Sequence, residues 1–435
     1  AVDGEVVLSS AYGYADVENQ VALTPQHLFR IASHSKMFTA TAILQLVESG
    51  TLRLDDTVAT HLPWLDGSAI AGRTLHELLS HGSGVIRDGR ASDYWQLCEP
   101  FPDHDALRRV ALDDAAIFDA NERFKYSNIG YSVLGEVVAA ASGLPYNDYV
   151  SRHVVDRLGL TDTAPELMPD RAADYATGYS ALGYADHRLP IDHVDTAAMS
   201  SATGFTSTAK DLVQFAAAQR LGDERLLTDA SKRRMQHEEW PTVGRNRWYG
   251  LGVDIELTEK HRTIGHGGGY PGHITRTSVD PRSGVAISVL TNAIDGPARG
   301  LVLGALALID LAAAEPGEGK RADAAAEKFC GRFANLWGVT DVVRLGSRLL
   351  ALSPEADDPA EGVSTLTVTG DDRLTVDNSN GLGGIGEEMV YSFDGDQIRS
   401  VQGPGGMTSW PIESFAGKLD GRQRITAGDL AVSGR

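Results

Sequence analysis

The texture of the chain changes at Glu315-Pro-Gly-Glu-Gly-Lys320, and this change limits the possible folds more than any other feature. Before it, strand-like and helix-like segments alternate and end in the apolar run Pro297 to Ala314. After Cys330, short apolar runs recur between Gly and Asp turns, at Val342 to Leu345, Arg348 to Leu352, Thr365 to Thr369, Leu374 to Asn378, Met389 to Phe393, Ile398 to Gln402 and Thr408 to Ile412. Even spacing of short strands predicts an antiparallel barrel or sandwich. At 435 residues the chain also exceeds one typical domain. Two domains are expected, over 1–315 and 320–435, with the Pro/Gly segment as linker.

Within the first, Glu5 to Tyr14 reads as strand and turn, followed by a helix from the Ser33 region that Gly50 closes. Further helices are predicted over Ala71 to Ser80, Tyr131 to Ala141 and Lys210 to Arg220, the last introduced by Ser207-Thr208. Tyr249 to Ile255 and Ile274 to Val279 read as strands, the second leading through Asp280-Pro-Arg-Ser-Gly284 into Val285 to Thr291. This order predicts a sheet covered by helices.

Charge and motif content exclude several function classes. The net charge of −20 argues against nucleic acid and anionic membrane surfaces, which require concentrated positive charge. No apolar run is long enough for a membrane span; Gly300 to Ala314 is the greasiest and too short. Cys98 and Cys330 are too few for a disulfide framework and read as lone thiols. No signal peptide is visible, and Ala1 opens the chain partway into a strand, so a bacterial cytoplasmic and an exported location both stay open. Gly267-Gly-Gly269-Tyr-Pro-Gly272 and Gly381-Leu-Gly383-Gly-Ile-Gly386 fit G-x-G-x-x-G, but neither leads into a helix, so no dinucleotide is expected. His76 and His81 on one helix would point roughly 140° apart, which does not suit zinc. No G-x-S-x-G elbow is present.

Three short motifs carry chemistry together. Ser33-His-Ser-Lys36 puts a hydroxyl and an amine one helical turn apart, where a neutral lysine can activate the serine. Tyr126-Ser-Asn128 and His266-Gly-Gly-Gly269 follow, the glycines permitting close backbone approach to a ligand. In this order, and with the flanks Leu46-Val-Glu-Ser-Gly-Thr-Leu-Arg-Leu-Asp-Asp56, Leu75-His-Glu-Leu-Leu-Ser-His-Gly-Ser-Gly84 and Tyr126-Ser-Asn-Ile-Gly-Tyr-Ser-Val-Leu-Gly135, the chain resembles the serine β-lactamase and penicillin-binding-protein superfamily. More narrowly it is similar to the class C β-lactamase-like peptidase group, with its D-aminopeptidases, D-alanyl-D-alanine carboxypeptidases and esterases. The resemblance covers roughly residues 1–315. It implies an α/β (α+β) fold, an antiparallel sheet flanked by helices with a helical subdomain; the strand pattern beyond it is similar to lipocalin-like C-terminal barrels.

The resemblance also implies roles. Ser33 is the acylated nucleophile, Lys36 its base and Tyr126 the proton shuttle to the leaving group. Asn128, His266 and Gly268 bind substrate, and the oxyanion hole is the backbone N–H of Ser33 and Gly269. Lys36 is expected to have a lowered pKa, and Tyr126 to move toward phenolate. No metal and no cofactor has a role, and the substrate is a small molecule or short peptide. His81-Gly-Ser-Gly is assigned a structural place beneath the site, with Gly82 where relatives usually carry Thr.

His266 stands where β-lactamases carry a lysine facing the substrate carboxylate. A mostly neutral histidine can donate a hydrogen bond but holds a carboxylate less firmly. Amide or peptide hydrolysis, plausibly with D-residues on the acyl side, is therefore favoured. A carboxylesterase or weak β-lactamase is the alternative, and a non-catalytic penicillin-recognising or assembly protein a further one. His104, His187 and His193 read as solvated loop residues, and Trp410 as a strand-packing residue.

Overall fold

Helix α1 (Ser35–Glu48) has no solvent face over most of its length: every residue from Ser35 to Leu44 is buried. A helix apolar or buried all round belongs at the centre of its domain. It ends where Gly50 turns to φ +76°. This computed structural model describes residues 1–113, 115–315, 321–356, 358, 360, 362–378 and 384–415. The linker residues 316–320 and Gly381 to Gly383 lie outside the described residues. Contacts within the chain separate two compact units, Ala1–Val302 and Leu303–Arg435.

Local sequence explains the other helices of the first unit. Helix α2 (Leu75–Leu79) starts from a capping box between Thr74 and Glu77. It is shorter than the expected Ala71 to Ser80. The preceding turn is held open instead, because the Arg73 carbonyl accepts the Val58 N–H at 2.8 Å. Helix α3 (Asn128–Ser142) is capped by Ser127, whose Oγ accepts the Gly130 N–H at 2.8 Å, and stops at Gly143. Helix α4 (Ala209–Ala217) takes Thr208 as its cap; α5 (Ala298–Ala313), after the sheet, begins in the first unit and continues into the second.

The sheet has six antiparallel strands: β1 (Trp240–Pro241), β2 (Arg247–Tyr249), β3 (Asp254–Leu257), β4 (Arg262–Tyr270), β5 (His273–Val279) and β6 (Ala286–Thr291). They lie in the order β6-β5-β4-β3-β2-β1. The single strand expected over Tyr249 to Ile255 is two, joined by a turn in which Gly250 N–H donates to Val253 O at 2.9 Å. Gly252 makes this turn possible at φ +75°, and a Cβ there would lie 2.5 Å from Ala40 Cβ. The strand expected at Glu5 is also absent. Val7 and Leu8 are exposed, and the edge of β6 is occupied by Ala1, whose amino group donates to Ala286 O at 2.7 Å. A run with neither a buried face nor a partner edge gains nothing from extending.

The second unit is a closed eight-stranded barrel. Its strands are β7 (Gly331–Asn335), β8 (Gly338–Leu345), β9 (Arg348–Leu352), β10 (Ser364–Gly370), β11 (Arg373–Asn378), β12 (Glu388–Asp394), β13 (Gln397–Gln402) and β14 (Thr408–Pro411). Strand β7, absent from the sequence reading, closes the barrel by pairing Phe333 with Pro411 and Ala334 with Trp410. A short turn of 3₁₀ helix, Ala324–Phe329, brings Phe329 into the barrel core. Among the described residues no helix is long and apolar enough to cross a membrane.

Candidate active site

Ser33 sits in a 3₁₀ turn, Ala32–His34, that leads directly into α1. One turn on, Lys36 is fully buried, and three oxygens surround its Nζ. Asn128 Oδ1 lies at 2.7 Å, Ala202 O at 2.8 Å and Ser33 Oγ at 3.3 Å. Burial pushes the Lys36 pKa well below its ordinary value; Asp88 opposes that shift and Arg87 adds to it. A neutral amine has two N–H groups and one lone pair. Ala202 O can only accept, and Asn128 presents its carbonyl oxygen because its Nδ2 donates to Asp88 Oδ1 at 2.6 Å. Both N–H groups are thereby engaged, and the lone pair is left for the Ser33 hydroxyl proton.

Tyr126, just before the cap of α3, is hydrogen-bonded to Ser33, and its ring centroid lies 4.8 Å from Lys36 Nζ. Burial raises its pKa, and the Ser33 hydrogen bond pulls the other way. The phenol therefore stays protonated, contrary to the expected drift toward phenolate. Burial, the largest cause, outweighs the Ser33 hydrogen bond and the Arg87 charge. His81 supports this wall from behind, its ring 4.2 Å from that of Tyr126 and its Nδ1 accepting the Ser127 N–H at 3.1 Å.

The glycine run lies inside β4, not at a turn. Strand β3 pairs with β4 only as far as Gly265, while β5 continues alongside to Tyr270. Gly268 packs against the turn that carries Ser33: a Cβ there would stand 2.1 Å from Ile31 O. His266 is buried, and its Nδ1 lies 2.6 Å from Gly267 O, an atom that can only accept. The proton is therefore on Nδ1, and Nε2 accepts from the Tyr249 hydroxyl at 3.1 Å. Burial lowers the His266 pKa to about 4, against the pull of Asp254. The ring is neutral at pH 7, and both its nitrogens are engaged within the chain.

A family model described as Beta-lactamase matches residues 1–310. The chain belongs to the beta-lactamase family. A penicillin-binding protein of Bacillus subtilis (strain 168) is 29% identical over 294 residues, 63% of this chain and 63% of its own length, so less than two thirds of that relative is spanned. The D-amino acid amidase of Ochrobactrum anthropi SV3, in complex with D-phenylalanine, is 26% identical with a TM-score of 0.57, over 65% of this chain and 81% of the amidase. The octameric penicillin-binding protein homologue of Pyrococcus abyssi covers 94% of both chains at a TM-score of 0.64; at 22% identity it shows the fold alone, barrel included.

In this beta-lactamase-family chain Ser33, Lys36, Tyr126 and Asn128 lie together, with His266 and Gly268 on strand β4. Three neighbours were not anticipated. Asp88 and Ala202 belong to no motif, and Tyr249 lies 17 residues before the histidine it holds. Only charge close to Arg87 in an otherwise apolar stretch, Val85-Ile-Arg-Asp88, marks the first in sequence. Of the other histidines, His104 is exposed and paired with Glu136, and His187 is exposed. His193 is no solvated loop residue: its Nε2 bonds Ala176 O at 3.1 Å, and its ring packs 5.2 Å from that of His273. Among the described residues no group of three or more His, Cys, Asp or Glu is placed to hold a metal ion.

Proposed function

We propose that the chain is a serine hydrolase that opens amide bonds through an acyl-enzyme on Ser33. The observation that carries this reading is the buried Lys36 Nζ, 3.3 Å from Ser33 Oγ, with Asn128 Oδ1 and Ala202 O placed to take both hydrogens of the amine in its neutral form. Lys36 accepts the Ser33 proton as Oγ attacks the substrate carbonyl. The N–H groups of Ser33 and Gly269 receive the developing oxyanion, a contribution of about 3 to 4 kcal/mol for each donor. Tyr126, protonated at neutral pH, gives its proton to the leaving nitrogen and regains one from Lys36. Water then attacks the acyl group, with Lys36 again the base, and Ser33 recovers its proton.

His266 supports a substrate class. His266 presents neither positive charge nor a free N–H, so a substrate carboxylate has no anchor there. Asp88 is already engaged, its Oδ1 by Asn128 Nδ2 at 2.6 Å and its Oδ2 by Arg87 Nε at 2.9 Å. Asn128 retains one Nδ2 hydrogen for a substrate carbonyl. These features support amides without a carboxylate beside the scissile bond over β-lactams. Similarity to a D-amino acid amidase supports D-residues on the acyl side.

A fluorophosphonate probe tests the nucleophile: wild type should label, and Ser33→Ala should not. D- and L-amino acid p-nitroanilides, p-nitrophenyl acetate and nitrocefin on one preparation test the substrate. The D-anilide is expected to lead among amides, with the ester also cleaved. Nitrocefin outpacing every amide by orders of magnitude would reverse the assignment.

A further inference from the structure

Arg30 stands three residues before Ser33 and is fully buried. Its Nη1 donates to Glu166 Oε1 at 2.5 Å. That carboxylate is itself held in place: Oε1 accepts the Leu167 N–H at 2.8 Å, and Oε2 accepts the Thr196 N–H at 2.9 Å and the Thr196 hydroxyl. Arg30 Nε and Nη2 are buried with no hydrogen-bond partner among the described residues. The guanidinium meets an aromatic face instead, with Cζ 4.7 Å from the centre of the Tyr270 ring. The nearby His193 and His273 rings add no charge near neutral pH, because burial lowers the pKa of both and Arg30 adds to the shift.

Stability does not account for this arrangement. A buried ion pair loses much hydration, and apolar residues of similar size often serve a core as well or better. Placement accounts for it. Phe29–Arg30 pairs with Thr206–Ser207, and Ile31 then leads into the Ser33 turn. Tyr270 follows Gly269 at the end of β4, where its hydroxyl accepts the Val194 N–H at 3.1 Å and donates to Val194 O at 3.2 Å. Gly269 is therefore flanked by two contacts with the segment that precedes Ser33. On one side Gly268 lies against Ile31 O, too close for a Cβ, and on the other Tyr270 lies against Arg30. The two N–H groups assigned to the oxyanion ride on these two segments. Such a pair works only when both donors reach one oxygen at about 2.7 to 3.1 Å.

We propose that Arg30 is a positioning residue for acyl transfer: anchored on Glu166 and stacked on Tyr270, it fixes the distance between the Ser33 and Gly269 N–H groups. The proposal rests on the reading of Ser33 as the acylated nucleophile. Arg30 touches no reacting atom and acts through Tyr270 and through the turn it precedes. A planar guanidinium over a ring is not replaced by the compact charge of a lysine, even where the lysine can still pair with Glu166.

Arg30→Lys keeps the cation beside Glu166, Tyr270→Phe keeps the ring, and Tyr270→Leu removes it. Two quantities are compared with wild type in the full chain: single-turnover acylation by the p-nitroanilide or p-nitrophenyl ester that wild type cleaves, and the affinity for phenylboronic acid, which forms a tetrahedral adduct on Ser33. Melting temperature and far-ultraviolet circular dichroism check folding. Arg30→Lys and Tyr270→Leu should acylate about a hundredfold more slowly with substrate affinity nearly unchanged. The boronic acid should bind more weakly by a matching factor, since its adduct needs both N–H groups. Tyr270→Phe should keep most of the rate that Tyr270→Leu loses. Wild-type rates in the folded variants, a loss confined to substrate affinity, or boronate binding that does not follow the rate would overturn the proposal and leave the nucleophile in place. Absence of acylation and of a boronate adduct in wild type would instead overturn the Ser33 reading, and this proposal with it. If Arg30→Lys does not fold, Tyr270→Phe against Tyr270→Leu decides.

Discussion

Asp88 Oδ1 accepts from Asn128 Nδ2 at 2.6 Å, and this one contact sets which way the Asn128 amide faces. Were the amide reversed, Lys36 would meet a donor, and its lone pair would turn from Ser33 toward Asn128. A residue outside every recognisable motif thus orients the proposed base. It also opposes the burial that lowers the Lys36 pKa. Asp88→Asn retains an acceptor but removes the charge, so the Lys36 pKa falls further. The acid limb of the kcat/KM profile should move to lower pH, with plateau activity reduced by less than about tenfold. An acid limb that stays in place would show that Lys36 does not govern it.

Lys36→Met should lower the rate of Ser33 acylation by about 10² to 10⁴. Its effect on stability has a defined sign. Lys36 has a depressed pKa in the folded state, so the unfolded chain binds the extra proton between that value and about 10.4. Wild type should gain stability relative to the variant as pH rises through this window, by up to about 1.4 kcal/mol per pH unit. Urea denaturation of both proteins at several pH values measures it. A difference that is flat with pH would mean Lys36 is charged in the native state.

His266→Lys restores a cation on β4, close to Asp254, whose negative charge already pulls toward the protonated form of His266. Substrates with a carboxylate beside the scissile bond should bind about tenfold more tightly, as expected for a hydrogen bond to a charged group. Steady-state KM for nitrocefin and for a D-amino acid anilide separates the outcomes. The first should fall and the second should not.

Gly268→Ala tests the packing of β4 on the Ser33 turn. The new Cβ would meet Ile31 O at 2.1 Å, so strand and turn must separate. About 1 to 3 kcal/mol of stability should be lost. Acylation should slow as well, because the N–H groups of Ser33 and Gly269 move apart. Thermal unfolding and burst kinetics read the two effects separately.

What was legible in the sequence was whatever a local pattern encodes. Ser207-Thr208 marked a helix start, Gly50 marked an end, and evenly spaced short runs between Gly and Asp turns marked most of the barrel strands. The order of Ser33, Tyr126 and His266 brought the site within reach. Features set by distant partners were not legible. The break at Gly250 to Gly252 depends on α1 packing against it, since a Cβ at Gly252 would meet Ala40 Cβ and Lys36 O. The tautomer of His266 depends on Tyr249, and the protons of Lys36 depend on Asp88 and on a carbonyl in the π-helical turn Ser200–Gly204. Periodicity carries no information on such pairings. Strand β7 escaped because Gly331-Arg-Phe-Ala-Asn335 is too polar to stand out until β14 pairs with it.

That pairing has a consequence for how the barrel comes into being. Phe333 finds Pro411 only after six intervening strands have been made and arranged. Closure is a long-range event, and its entropy must be met before the contacts return it. Until then β7 and β14 are open edges, ready to pair with other chains. The barrel should therefore form late and all at once, and its most dangerous moment for aggregation is the interval before the first strand meets the last.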